Sequence, residues 1–296
     1  MSEIQHIIIR IFSSYCSSTE AKQNIEKWCM SSEIPFYGKD KKIYITDGDD
    51  YTHIVILNTA MPNIPPHIPK KNVLGFAYEP LPFLQLTSTF VEYAQKYIGF
   101  YLIGDVQLNS QYRLPAPFFE QYSFMDHLPP LPYIPVKQNR MSIMISKKGF
   151  APGHKYRHEL TQAILKTNLP IDIYGLGCEF YKHINDPRIK GDFVNYEPYE
   201  SYDFHICIEN YQSQHYFSEK IVNTLICGAT PVYLGCLNID SYFPGIPIKL
   251  TGKVNEDIQI LQQIVESPNN YKKDIPVKSI LSNINLINYL EKQFSC

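Results

Sequence analysis

Residues 204–235 read FHICIENYQSQHYFSEKIVNTLICGATPVYLG, and this stretch decides the fold. Asp203 to Glu209 is an apolar, β-branched run of strand length. A polar loop follows, then a helical pattern from Ser218 to Cys227 and a second apolar run from Pro231 to Leu234. Strand, helix and strand at this spacing predict a parallel pair joined by a right-handed crossover. Ligands of open α/β sheets bind at the carboxyl ends of the strands, which draws attention to Glu209, Asn210 and the loop after them. Ser218 is placed to cap the helix, with Glu219 and Lys220 in its first turn. A helix N-terminus offers free N–H groups and partial positive charge, so a diphosphate fits there with Lys220 adding a full charge. A capped helix carrying an ordinary surface Glu–Lys pair explains the same residues, and the residue types alone leave both readings open.

The same alternation runs outward in both directions. Met141 to Ser146 reads as a strand, Lys155 to Lys166 as a helix and Ile171 to Tyr174 as a strand. In the first half, Ile4 to Phe12, Tyr51 to Asn58, Val73 to Tyr78 and Phe100 to Ile103 are strand patterns, with helices predicted over Thr19 to Met30 and Phe90 to Tyr97. Leu114 to Val136 is rich in Pro and aromatics and sustains neither helix interiors nor central strands, so the domain linker is placed there. Lys278 to Phe294 has apolar residues at helical spacing. The expected organisation is an α/β chain of two Rossmann-like domains, 1–135 and 136–277, facing each other across a cleft, with a terminal helix over 278–296 that packs back on the first.

The bulk numbers narrow the function classes. A chain of 296 residues with 44% hydrophobic and 19% charged residues is globular. Its formal charge of -2 excludes a general attraction to nucleic acid or anionic lipid and leaves any phosphate to be met locally. The apolar run from Ile7 to Phe12 is too short to span a membrane and is poorly flanked for a signal peptide. Seven cysteines without a CxxC pair imply free thiols. With no Asn-x-Ser/Thr sequon, a cytoplasmic location is expected. GLGCEF, from Gly175 to Phe180, lacks the third glycine of a dinucleotide fingerprint, and no GxxxxGK[ST] occurs. Asp47-Gly48-Asp49 matches a D-x-D metal pattern, but TDGDD is also an ordinary turn composition. No metal ligand is assigned.

Glu209-Asn210, Tyr216-Phe217-Ser218-Glu219-Lys220 and Thr230-Pro231-Val232-Tyr233-Leu234-Gly235 resemble, in order and spacing, the donor motif of the family 10 glycosyltransferases, the α1,3/1,4-fucosyltransferases. The resemblance is close from Tyr199 to Pro244. It departs at Ile208, Tyr211 and Ser218, where the family commonly has Phe, Ser or Thr, and Thr. It implies a glycosyltransferase B fold and inverting transfer of L-fucose from GDP-fucose, or a related sugar, to a glycan hydroxyl, as in protein glycosylation. No cofactor is required, and a divalent metal is optional.

The resemblance also assigns roles. Arg157, in HKYRHELTQAIL, is similar to the family arginine that contacts the donor diphosphate, with Lys155 and His158 as neighbouring alternatives. Planar guanidinium donors suit phosphate oxygens. Asn210, Tyr216, Ser218, Glu219 and Lys220 complete the donor set, with Glu219 also a catalytic carboxylate. Glu79, in GFAYEPLPF, follows a buried-strand pattern and is the expected general base toward the acceptor. A transferase of the same fold with another nucleotide sugar, or a non-catalytic carbohydrate-binding protein, are the alternatives.

Overall fold

The computed structural model describes residues 6–29, 34–84, 86–103 and 136–295. The proposed linker falls, apart from Val136, outside the described residues. The chain forms two units, one from the described residues through 103 together with 282–295, the other from 136–281.

In the first unit, β1 (Ile7–Ser13), β2 (Ile43–Thr46), β3 (His53–Leu57), β4 (Val73–Phe76) and β5 (Phe100–Leu102) make a parallel sheet of order β2-β1-β3-β4-β5. Every residue of β3 and β4 is buried, as expected of strands covered on both faces. β2, at the edge, alternates buried and half-buried. Helices α1 (Ser18–Cys29), α2 (Leu81–Leu84) and α3 (Ser88–Tyr97) connect the strands, and Thr87 caps α3 through Phe90 N–H.

The second unit contains β6 (Gln138–Met144), β7 (Ile171–Tyr174), β8 (Ile189–Gly191), β9 (Tyr202–Ile208), β10 (Thr230–Leu234) and β11 (Ile248–Lys249). They form a parallel sheet of order β11-β10-β9-β6-β7-β8. This is the doubly wound order whose direction reverses between β6 and β9, and the crevice beyond the ends of those two strands is the ligand position of such sheets. Helices α4 (Pro152–Leu165), α5 (Glu197–Glu200), α6 (Glu219–Ile226) and α7 (Val254–Glu266) serve this unit. Its core joins Ile143, Ile173, Ile206 and Val232 from the strands to Leu160 and Ile164 of α4 and Leu261 and Ile264 of α7.

Two short helices close the chain, α8 (Val277–Asn283) and α9 (Leu286–Phe294), where the spacing suggests one. Asn285 interrupts it: its side chain accepts from Asn288 N–H and starts a new helix. Within the first unit, Phe294 of α9 packs its ring tilted against His53, Tyr289 packs likewise against Phe76, and Glu291 pairs with Lys42.

Candidate functional site

At the end of β9 the chain leaves the sheet with Glu209, which is buried. Its carboxylate accepts Ser218 N–H at 2.9 Å and Ser218 Oγ–H at 2.6 Å, nine residues on. The intervening loop is thereby closed, and the first N–H of the α6 cap is occupied by an internal anion. Two glycines make room for this residue, Gly235 for its side chain and Gly153 for its backbone. A Cβ on Gly235 would lie 2.3 Å from Glu209 Cγ, and one on Gly153 would lie 1.8 Å from the Glu209 carbonyl oxygen.

The Ser218 hydroxyl donates to Glu209 and accepts from Lys220 Nζ at 2.9 Å, so its donor is already committed. Lys220 Nζ also reaches Glu219 Oε1 at 2.8 Å and lies 3.6 Å from Glu209 Oε2. One ammonium is thus set between two carboxylates. Burial pushes the Glu209 carboxyl above its ordinary value, against the pull of Lys220. Burial works the same way on Glu219, but there Lys220 wins and the carboxyl is held low. Burial disfavours the Lys220 charge, yet the two carboxylates hold its pKa above the usual lysine value.

The other wall is α4. Pro152 stands in its first turn, Gly153 N–H donates to Asn210 O at 3.0 Å, and Arg157 follows one turn later on the same face. Arg157 is 7% exposed, and its Nη2 donates to Asn210 Oδ1 at 2.5 Å. Among the described residues no carboxylate lies within ion-pair distance of Arg157, and its buried Nε–H has no partner. Burial depresses this guanidinium, and Glu209, Glu219 and Tyr216 offset the effect from further away. His154, also buried, accepts Ala151 N–H on Nδ1 at 3.3 Å. Burial, then Arg157, Lys148 and Lys220, push its pKa down to about 4, so the imidazole is neutral at physiological pH.

The arrangement is a buried cation without a direct counter-ion beside a lysine held between two carboxylates. A buried charge is costly until it is paired, and an oxyanion at the β6/β9 crevice would supply the partner Arg157 lacks. The structure brings Arg157, Asn210, Ser218, Glu219 and Lys220 into this one cluster. Tyr216 is buried in the loop that Glu209 closes. Lys155 is exposed, and His158 is taken up by Tyr181 and the Ser146 carbonyl. Glu79 lies in the first unit, exposed, three residues beyond β4. Asp47 bonds Thr19 at 3.0 Å and lies 3.6 Å from Lys22, and Asp49 pairs with Arg10. Among the described residues no group of three or more His, Cys, Asp or Glu could hold a metal ion, and no helix is long and apolar enough to cross a membrane.

Sequence reasoning passed over Glu209 as an anchor, Gly153 and His154. The signal available was the pair of glycines, each standing where a side chain would strike Glu209.

Comparison with known proteins finds relatives for part of the sequence and for the fold. The family model for glycosyltransferase family 10 (fucosyltransferase), C-terminal part, matches residues 134–273. A fucosyltransferase-like protein of Arabidopsis thaliana is 32% identical over 107 residues, which are 36% of this chain and 19% of that protein. The chain therefore matches only about a fifth of that relative's length. Among solved structures, Anabaena HepE in complex with UDP-glucose aligns over 97% of this chain and 98% of its own, at 11% identity and a TM-score of 0.56. An α-glucosyltransferase solved with UDP and DNA aligns over 98% and 99%, at 11% identity and a TM-score of 0.51. The fold is that of the glycosyltransferase B class.

Proposed function

We propose that this chain, whose residues 134–273 match the family model for the C-terminal part of glycosyltransferase family 10, is an inverting glycosyltransferase that moves L-fucose from GDP-fucose to a hydroxyl of a glycan. The observation that carries the reading is Arg157, a buried guanidinium with no ion-pair partner among the described residues, beside Lys220 at the β6/β9 crevice.

The roles follow from where charge develops. As the bond between the anomeric carbon and GDP breaks, negative charge grows on the diphosphate. Arg157 and Lys220 neutralise it, and because they are already in position they need no reorganisation. The sugar ring passes through an oxocarbenium-like state, and Glu219, held ionised by Lys220, stabilises that positive charge or fixes a sugar hydroxyl. Asn210 orients the Arg157 guanidinium through its side chain. Glu79 takes the proton of the attacking acceptor hydroxyl, a contribution of roughly 10² to 10⁴ in rate. With the leaving group met by side-chain cations, a divalent ion is not required.

A panel of GDP-fucose, GDP-mannose and UDP-glucose, with NMR of the product, tests this. Transfer from GDP-fucose with inverted anomeric configuration is expected. Preference for UDP-glucose would place the chain with another donor, which Ile208, Tyr211 and Ser218, the departures from the family motif, would then explain. No turnover with any donor would favour a binding protein.

A further inference from the structure

Within the second unit, a groove of about 640 Å³ opens between α4, the loop after β6 and the short 3-10 helix Leu176–Ile184. Lys147, Lys148, Lys166, Phe180 and Ile184 line it, and no carboxylate does. Phe180 and Ile184 are 54% and 43% exposed, and Phe150, next to the lining Gly149, is 64% exposed. Exposed aromatic and aliphatic groups gathered at one place mark an interaction surface rather than ordinary scatter. The cations are in excess. Glu179 bonds Lys147 at 2.5 Å, whereas Lys148 and Lys166 have no ion-pair partner among the described residues.

The chemistry of the groove selects the partner. A polypeptide needs hydrogen-bonding groups for its backbone, and two of those on the floor, His158 and Tyr181, are engaged with each other. His158 accepts from Tyr181 Oη–H at 2.8 Å and donates to the Ser146 carbonyl at 2.9 Å. Beside Gln162 and His183, the rest of the lining is chiefly apolar surface and flexible ammonium groups, a combination that a bilayer interface satisfies. The rings enter the headgroup boundary, and lysines with apolar stems reach anionic headgroups. The overall charge of -2 makes this attraction a property of the face, not of the molecule.

We propose that this face docks on an anionic lipid bilayer. The test is sedimentation of the full chain with vesicles of phosphatidylcholine alone and of phosphatidylcholine with phosphatidylglycerol, at low and high salt. Binding to the anionic vesicles only, weakened by salt, is expected. Phe180→Ser with Ile184→Ser, and separately Lys166→Glu, should each lower partitioning by about tenfold. Thermal unfolding and GDP affinity should not change, since none of these residues belongs to the diphosphate cluster. Absence of binding at low salt, equal binding to neutral vesicles, or binding indifferent to all the substitutions would overturn the proposal. So would capture of poly-glutamate without vesicle binding, which would point to an acidic protein instead. A chain that binds vesicles but not GDP would leave this proposal standing and remove the donor assignment.

Discussion

The Glu209 carboxylate holds Ser218 twice, through its backbone N–H at 2.9 Å and its hydroxyl at 2.6 Å. It therefore sets the position of the loop, of the α6 N-terminus and of Lys220 together. In the proposed transferase Glu209 is a positioning residue, acting through Ser218. Glu209→Gln presents an amide N–H₂ to at least one of two donors and should cost about 1–3 kcal/mol of stability, the penalty of a buried group left unpaired. The expected outcome is a folded protein with a lowered unfolding midpoint and weakened GDP binding, read by calorimetry. Unchanged GDP affinity would detach the loop from the donor site.

Arg157 shows the opposite balance between stability and binding. Because its charge is buried without an ion-pair partner among the described residues, Arg157→Met should leave the unfolding temperature unchanged or higher. GDP affinity should fall by about tenfold to a hundredfold, equivalent to one charge-assisted contact. Lys220→Ala should show a similar loss of affinity. It also leaves Glu209 and Glu219 facing each other without a cation, so its stability should fall where that of Arg157→Met does not.

Glu79→Gln keeps the shape of the side chain but cannot take a proton at neutral pH. Donor affinity is expected to survive while kcat/KM falls by about 10² or more. Unchanged transfer would send the search to Glu209, Glu219 or another carboxylate of the first unit.

GDP binding should persist in EDTA. Asp49→Ala should also leave it intact, since Asp49 is paired with Arg10. Loss of GDP binding on chelation would show that an ion shares the diphosphate with Arg157 and Lys220.

Acid should unfold the protein through its buried histidines. Burial holds His205 down to about 3, and its Nδ1 lies 2.7 Å from the Ser142 hydroxyl. His53 and His154 are pushed to about 4, first by burial. These groups stay neutral in the folded state and take a proton near 6.5 when unfolded. Their contribution is therefore complete above about 6.5 and is lost as pH falls toward about 3 to 4. Denaturant midpoints measured from pH 7 to 4 should decline. His205→Gln should flatten the slope, and an unchanged slope would remove His205 from the account.

The order of strands and helices, the doubly wound second sheet and the motif from Glu209 to Gly235 were legible in the sequence. Buried parallel strands are continuous apolar runs, and a run such as HIVIL or FHICI announces itself locally. β2, β8 and β11 were not legible. An edge strand of two to four residues with one face exposed needs little apolar sequence, and its pairing is decided by its neighbour. Nor did spacing mark Asn285 as the cap that splits the terminal segment into two helices.

The site divides in the same way. That Asn210, Ser218, Glu219 and Lys220 follow a strand and open a helix is a local fact, readable in one βαβ unit. That Arg157 bonds Asn210 across 53 residues, that Gly153 leaves room for the Glu209 carbonyl, and that Lys220 lies between two carboxylates are products of packing. A carboxylate or a guanidinium carries no sign in sequence of whether water or protein will surround it. Only the folded chain, by removing water from Glu209 and Arg157 and giving one its hydrogen-bond partners and the other, among the described residues, no counter-ion, decided which anchors the loop and which carries a buried charge without a direct partner.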